Sequence, residues 1–289
     1  MSSSVAEQGF IGSHLVDWLV AEGAWVTVVD DLSTGRVENL DAALATGRCE
    51  LAKHSVTETG FGAIVGAVHP EVVFHLAAQI DVRSSVADPV GDANANVLGT
   101  VAVLEAARQA GTRKVVFASS VAVYGPPAAL PVREDTPPSP LSPYAVSKLA
   151  GEPYLRQYRE LHGLQTTALV LTNTYGPRQD PHGEAGVVAI FTAAMLAGRP
   201  TRVYGAGANE RDYCPRWSWT RARPAGYWVG GRVRRSPSGS ASPRRPCAVP
   251  LHQPRRHSYC REASRVYRGQ SCAHIAMTLA CMRRCISIH

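Results

Sequence analysis

The first two hundred residues predict an α/β fold built on a doubly wound parallel sheet, and two observations carry this. Short, nearly continuous apolar runs rich in β-branched residues recur at 24–30 (AWVTVVD), 71–78 (EVVFHLAA), 113–120 (RKVVFASS) and 165–172 (QTTALVLT). Strands of a parallel sheet, buried on both faces, read this way. Between them lie segments 12–23, 96–111 and 144–163, with helical spacing of apolar residues and glycine at or near their ends. Strand and helix in alternation give a parallel sheet with helices on both faces.

The first helix is preceded by AEQGFIGSH. Gly9 and Gly12 are spaced as the later glycines of a G-x-x-G-x-x-G turn, where absent side chains let a dinucleotide pyrophosphate approach a helix N-terminus. Ala6 stands where the first glycine of that turn belongs, and MSSSV offers too few apolar residues for a good inner strand. Asp30 ends the next predicted strand, about twenty residues on, where a carboxylate accepts both adenosine ribose hydroxyls. A carboxylate there favours NAD over NADP, because it repels a 2′-phosphate. Asp30 also reads as a plain turn residue leading into DLSTG.

Further on, SPYAVSKLAGE places Tyr144 and Lys148 four apart on one helical face. Tyrosine titrates near about pH 10, and a neighbouring ammonium stabilises its phenolate. About two dozen residues earlier, VVFASSVAVYG is a buried strand ending in Ser119 and Ser120. The carboxyl end of a central strand is where doubly wound sheets bind ligands. Serine, tyrosine and lysine there can pass a proton to or from a substrate hydroxyl while hydride moves to nicotinamide. The bland alternative is a serine capping a loop beside an exposed Tyr–Lys pair.

The motifs GFIGSHLVDWL, VVDDLSTG, VVFHLAAQIDVRSSVADP, NVLGT, FASSVAVYG, SPYAVSKLAGE, NTYGPRQDP and GANERDY closely resemble the extended short-chain dehydrogenase/reductase family. The likeness runs over about residues 5–213 and is greatest to its NAD-dependent nucleotide-sugar epimerases. That resemblance implies a Rossmann-like cofactor domain at 1–176 and the start of a substrate-binding lobe at 177–213. It implies that Gly9, Gly12, Asp30 and Asp31 face the adenosine half of NAD. Leu76, Ala77, Ala78 and Gln79 line the cofactor, and Asn96 lies in the helix that braces it. Tyr144 is the general base, Lys148 binds the nicotinamide ribose and lowers the tyrosine's pKa, and Ser120 hydrogen-bonds the reacting oxygen. Asn173 and Arg211 match positions that hold the diphosphate of a sugar nucleotide; without the motif they read as a loop residue and a surface charge. A homodimer through the long helices is implied as well. Dehydratases of the family carry an acid pair just after the catalytic hydroxyl, and the sugar-acid decarboxylases a glutamate in the same turn. Here those positions are Val121 and Ala122, which cannot move a proton, so 4-epimerisation of the UDP-glucose/UDP-galactose type is the expected reaction.

Composition changes abruptly after Tyr213. The whole chain of 289 residues has net charge +7, but residues 214–289 hold fifteen arginines, no lysine and one acidic residue, Glu262. Residues 1–213 therefore hold 15 basic and 22 acidic residues, a net of −7, as in an ordinary acidic domain. Cys49 stands alone before the boundary and six cysteines follow it, so the domain fits a reducing cytosol and a cytoplasmic location. No signal-like start and no membrane-length apolar run is present. Three readings of the tail compete: an arginine-rich arm for nucleic acid, a cysteine-rich metal module, and an out-of-frame stretch of a G+C-rich gene. The cysteine spacings give no paired C-x-x-C, so no metal is expected. Arginine without lysine and an onset in mid-motif favour the out-of-frame reading. The expectation is therefore an epimerase with a truncated substrate-binding lobe, possessing its chemistry residues and impaired by the altered ends. The competing expectation is an inactive remnant or a nucleic-acid-binding protein.

Overall fold

The computed structural model describes residues 3–6, 9–127, 131–133, 135–181, 186–203 and 213–215. Six parallel strands form one sheet: β1 (Ser3–Ala6), β2 (Trp25–Asp30), β3 (Cys49–Lys53), β4 (Val72–His75), β5 (Lys114–Ser120) and β6 (Gln165–Leu171). Their order is β3-β2-β1-β4-β5-β6, which is the doubly wound arrangement of a dinucleotide-binding sheet. The helices are α1 (Phe10–Ala21), α2 (Asp41–Leu44), α3 (Phe61–Val68), α4 (Val82–Ala87), α5 (Pro89–Ala93), α6 (Gly99–Gln109), α7 (Pro143–His162) and α8 (Val187–Leu196). A separate pair of short strands, β7 (Asn173–Tyr175) and β8 (Tyr213–Pro215), runs parallel with Asn173 opposite Tyr213.

Alternate residues of the inner strands feed two cores. On one face, Leu15, Val16, Trp18 and Leu19 of α1 pack with Val26, Val28, Val72, Phe74 and Val116. On the other, Phe61 and Val65 of α3, Val103, Leu104 and Ala107 of α6, and Leu155 of α7 pack with Val73, Val115 and Phe117. A helix layer on each face explains the unbroken apolar runs, since no residue of β4 or of Lys114–Ser119 has a wet side. β6 departs from that expectation: only Val170 is fully buried in it. Among the described residues it has a strand neighbour on one side alone, β5.

β1 corrects the sequence reading, which found its segment too polar for an inner strand. Ser3–Ala6 lies in the centre, pairing Ser3 to Trp25 through Ala6 to Val28 on one side and Ser4 and Val5 to Val72 and Val73 on the other. A central strand needs paired backbone groups on both edges, while β2 and β4 supply the apolar surface around it. β3 was also missed, because CELAK reads as a mixed polar segment; it is an edge strand.

α7 approaches β5 unusually closely at Gly151. A Cβ there would lie 2.9 Å from Cζ of Phe117, a ring that is itself fully buried. Gly151→Val should therefore destabilise the fold by about 1–3 kcal/mol through overpacking, measured as a lower denaturant midpoint; an unchanged midpoint would show that α7 can slide away from the sheet.

Candidate active site

All six strands are parallel, so their carboxyl ends share one edge, and strand order reverses between β1 and β4. A crevice at that reversal is where such sheets take ligands. Gly9 caps α1 there, its carbonyl accepting from Ser13 N at 2.9 Å. Among the described residues, a Cβ built on Gly9 would meet nothing within 4 Å. Gly12 is buried in the first turn of α1. Asp30, at the end of β2, fills the turn role weighed for it. Its Oδ1 accepts from Leu32 N at 2.7 Å, holding Leu32 at φ +64°, and the carboxylate stays at the strand end. Gly35 lies close beside it, where a Cβ would sit 3.1 Å from Oδ1. Asp31 accepts from Ser33 N at 2.8 Å.

Beyond β4, Leu76 packs on the α1 core and Ala77 on the opposite one, leaving Ala78 and Gln79 on the way to α4. Gln79 is locked to Asn96 in both directions: Gln79 N donates to Asn96 Oδ1 and Asn96 Nδ2 to Gln79 O, each at 2.9 Å. Asn96 sits in a π-helical turn, Asn94–Leu98, between α5 and α6, and such turns commonly aim side chains at functional sites. Its Nδ2 also reaches Asp92 Oδ1 at 3.0 Å and Ser147 Oγ on α7 at 3.2 Å. Asp92 accepts from Gln79 Nε2 at 3.1 Å as well.

At the end of β5 the two serines part company. Ser119 is buried and donates to Glu152 Oε1 at 2.7 Å. Ser120 accepts from Ala122 N at 3.2 Å, capping the turn Val121–Tyr124, and is hydrogen-bonded to the side chain of Tyr144. Lys148 is 3% exposed, donates to Ala118 O at 3.0 Å and lies 5.0 Å from the centre of the Phe117 ring. Thus Ser120, Tyr144 and Lys148 gather where the sequence placed them. Burial pushes the Tyr144 hydroxyl up, the Ser120 bond opposes this, and the charge of Asp92 adds to the rise. The Lys148 ammonium donates to the Ala118 carbonyl and lies over the Phe117 face.

Asn173 is the exposed first residue of β7, and Arg211 lies outside the described residues, as does the tail beyond Pro215. The segment after β7 is tied to α1. His14 Nε2 donates to Pro177 O at 3.0 Å, and Arg178 pairs with Asp17 at 2.7 Å. Sequence reasoning missed these, and also His75 and Asp92, because contacts across 163 positions leave no local signal. Among the described residues no group of three or more His, Cys, Asp or Glu could hold a metal ion, and no helix is long and apolar enough to cross a membrane.

The family model for the NAD dependent epimerase/dehydratase family matches residues 7–215. The chain belongs to this family. It is 54% identical over 206 residues to UDP-glucose 4-epimerase of Mycolicibacterium smegmatis, an alignment covering 71% of this chain and 66% of that protein. It is 43% identical, with the same coverage, to a putative UDP-glucose 4-epimerase of Methanocaldococcus jannaschii. The chain therefore spans just under two thirds of the length of these relatives. Among solved structures, UDP-glucose 4-epimerase of Thermotoga maritima with UDP-glucose superposes with a TM-score of 0.70 at 41% identity, covering 74% of this chain and 69% of that one. The Thermus thermophilus enzyme complexed with NAD gives 0.68 at 42%, covering 74% and 70%. The family match ends two residues beyond Tyr213, where the composition changes.

His75 lies fully buried at the end of β4, its Nε2 3.1 Å from Thr100 Oγ1. Thr100 donates to Asn96 O at 2.6 Å, so its oxygen accepts from His75. Burial first, and the Lys148 charge second, lower the histidine from 6.5 to about 3. The folded state thus refuses a proton that the unfolded chain takes, and stability falls as pH drops from about 6.5 towards about 3. His75→Gln should flatten that dependence in urea midpoints measured at pH 7.5 and pH 5; an equally steep loss in the variant would assign it to other groups.

Proposed function

We propose that this chain is a NAD-dependent nucleotide-sugar 4-epimerase, an isomerase of the UDP-glucose/UDP-galactose type. The observation that carries the reading is the Ser120–Tyr144–Lys148 group at the carboxyl end of β5, followed by Val121 and Ala122. The open turn at Gly9 and the carboxylate of Asp30 fit the pyrophosphate and adenosine ribose of NAD. Gly12, Asp31 and the Leu76–Gln79 segment braced by Asn96 complete the cofactor-side residues, and Asn173 and Arg211 would hold the diphosphate of the sugar nucleotide. The similarity to UDP-glucose 4-epimerases supports the same substrate class.

NAD, when bound, supplies a reversible acceptor for the C4 hydride. Tyr144, as phenolate, takes the proton from the O4 hydroxyl and returns it to that oxygen at the end. Ser120 donates a hydrogen bond to O4, holding it against the tyrosine. Burial keeps Tyr144 protonated at rest, so forming the phenolate needs positive charge in the site. Lys148 carries one such charge on the same helical face. Inversion requires O4 to leave Ser120 and Tyr144 and be regained with the opposite sugar face presented. A dehydratase would need a further acid and base, and neither Val121 nor Ala122 can serve.

The domain division follows from this reading: a cofactor domain at 1–176, the start of a substrate lobe at 177–213, and a tail at 214–289 that contributes no chemistry residue. A homodimer is part of the proposal. Val86, Val90, Leu98 and Val146, on α4, α5, the π turn and α7, are exposed apolar residues, as a helical pairing face would present. The protein acts in the cytoplasm on a soluble substrate.

Denaturing the purified chain and quantifying released NAD or NADH tests the cofactor half; near-stoichiometric cofactor is expected. UDP-galactose should then be converted to UDP-glucose, and Tyr144→Phe should lower that rate by about 10²–10⁴-fold with cofactor retained. A chain that neither carries nor takes up NAD would overturn the proposal. Strong, salt-dependent binding to RNA or DNA would favour the competing reading of the basic tail.

A further inference from the structure

The loop after β3 carries a histidine that the mechanism above does not use. His54 is the first residue beyond β3, and its backbone N donates to Asp30 O at 3.1 Å, so it is pinned to the residue assigned to the adenosine ribose. Its ring is held between two backbone carbonyls, with Nδ1 2.7 Å from Ser55 O and Nε2 3.2 Å from Thr59 O. A carbonyl oxygen only accepts, and a neutral imidazole has a single N–H. Both bonds therefore exist together only in the imidazolium form. In the neutral ring, one nitrogen turns a lone pair towards a carbonyl. Glu58 supplies the matching charge, its Oε2 3.8 Å from Nδ1, and the same oxygen accepts from Ser55 N at 3.4 Å. Gly60 lies against the ring at φ +106°, where a Cβ would come 3.4 Å from Nε2.

We infer that His54 is a proton-operated latch on loop 54–60: the imidazolium ties the two ends of the loop together, and the neutral ring releases one of them, loosening the wall beside the adenosine end of the site. The ligand in this inference rests on the cofactor reading of Asp30; the switch rests on the loop alone. β3 is the neighbour of β2 in the sheet, so the loop leaving β3 stands next to Asp30. Val56 and Phe61 anchor it in the core, while residues 57–60 between them are exposed. The bond from His54 to Thr59 O is a cross-tie of that exposed stretch. The charged groups around the ring are Glu58 on the same loop, Lys53 at the end of β3, and Asp30 of β2, whose carboxylate accepts from Leu32 N. α3 meets the ring through Gly60, and α6 meets the loop through Gly99, where a Cβ would lie 3.0 Å from Val56 Cγ2. Histidine changes charge between about pH 5 and 8, so the latch is closed at the lower end of that range and opens as pH rises.

The test is hydrogen–deuterium exchange over residues 55–61 in the full chain without added cofactor, at about pH 5.5 and pH 8, corrected for the intrinsic pH dependence of exchange. Protection should be about tenfold lower at the higher pH, the loss expected for one hydrogen bond from a charged donor. His54→Gln, whose amide donates equally at either pH, should give equal protection at both. Should that variant fail to fold, His54→Asn asks the same question with a shorter amide. Global opening cannot mimic the result, because the buried His75 weakens the fold in the opposite sense, as pH falls. Equal protection at both pH values in the parent, or a change as large in His54→Gln, would overturn the latch. NAD affinity measured on the same preparations separates the two readings, and it should fall as pH rises in the parent but not in His54→Gln. A parent chain that binds no NAD overturns the proposed function while exchange still reads the latch. NAD bound equally at both pH values, in a chain whose loop protection does change, overturns the role of the latch at the adenosine end.

Discussion

The site depends on one constraint: six parallel strands must end at the same edge, and their order reverses between β1 and β4. Parallel pairing forces every crossover onto a face of the sheet, so the loops leaving β1, β2, β4 and β5 converge without designed contacts among them. The Gly9 turn and the Leu76–Gln79 segment follow such strands, and Asp30 and Ser120 end them. Their proximity is therefore a property of topology, and the side chains need only the right local turn.

What topology does not supply is rigidity, and a buried polar network provides it. His75, Thr100, Asn96, Gln79, Asp92 and Ser147 are joined by hydrogen bonds of 2.6–3.2 Å running from β4 through the π turn to α7. Buried polar groups are costly unless satisfied, and satisfied ones define a single arrangement. The close seat of α7, permitted by Gly151, keeps the Lys148 ammonium on the Ala118 carbonyl. Packing and polar pairing thus fix the same helix from two sides.

Much of this was readable from sequence because its signals are local. The β-branched runs around Val26–Val29, Val72–Phe74 and Val115–Phe117 marked the inner strands, and the spacing of Tyr144 and Lys148 placed both on one helical face. β1 was underestimated because SSVA lacks apolar bulk, although a central strand is held first by its backbone. The Ala118 and Phe117 contacts of Lys148 were not readable, since spacing places the lysine on the helix but not against β5. Asp92 was invisible, since only the fold brings α5 against α7. Arg211 lies beyond what the structure describes, so its assignment rests on its motif.

The bond between His14 and Pro177 joins residues 163 positions apart, and the neighbouring Asp17–Arg178 pair is almost as distant. A chain made from its N-terminus displays α1 long before the segment that ties it down exists. Closing so long a loop is slow and favourable only once the sheet between has formed. α1, which follows the Gly9 turn, is thus among the first helices synthesised and the last to acquire all its contacts. During that interval its apolar face, Leu15 to Val20, must find the sheet without help from the strap that later crosses it.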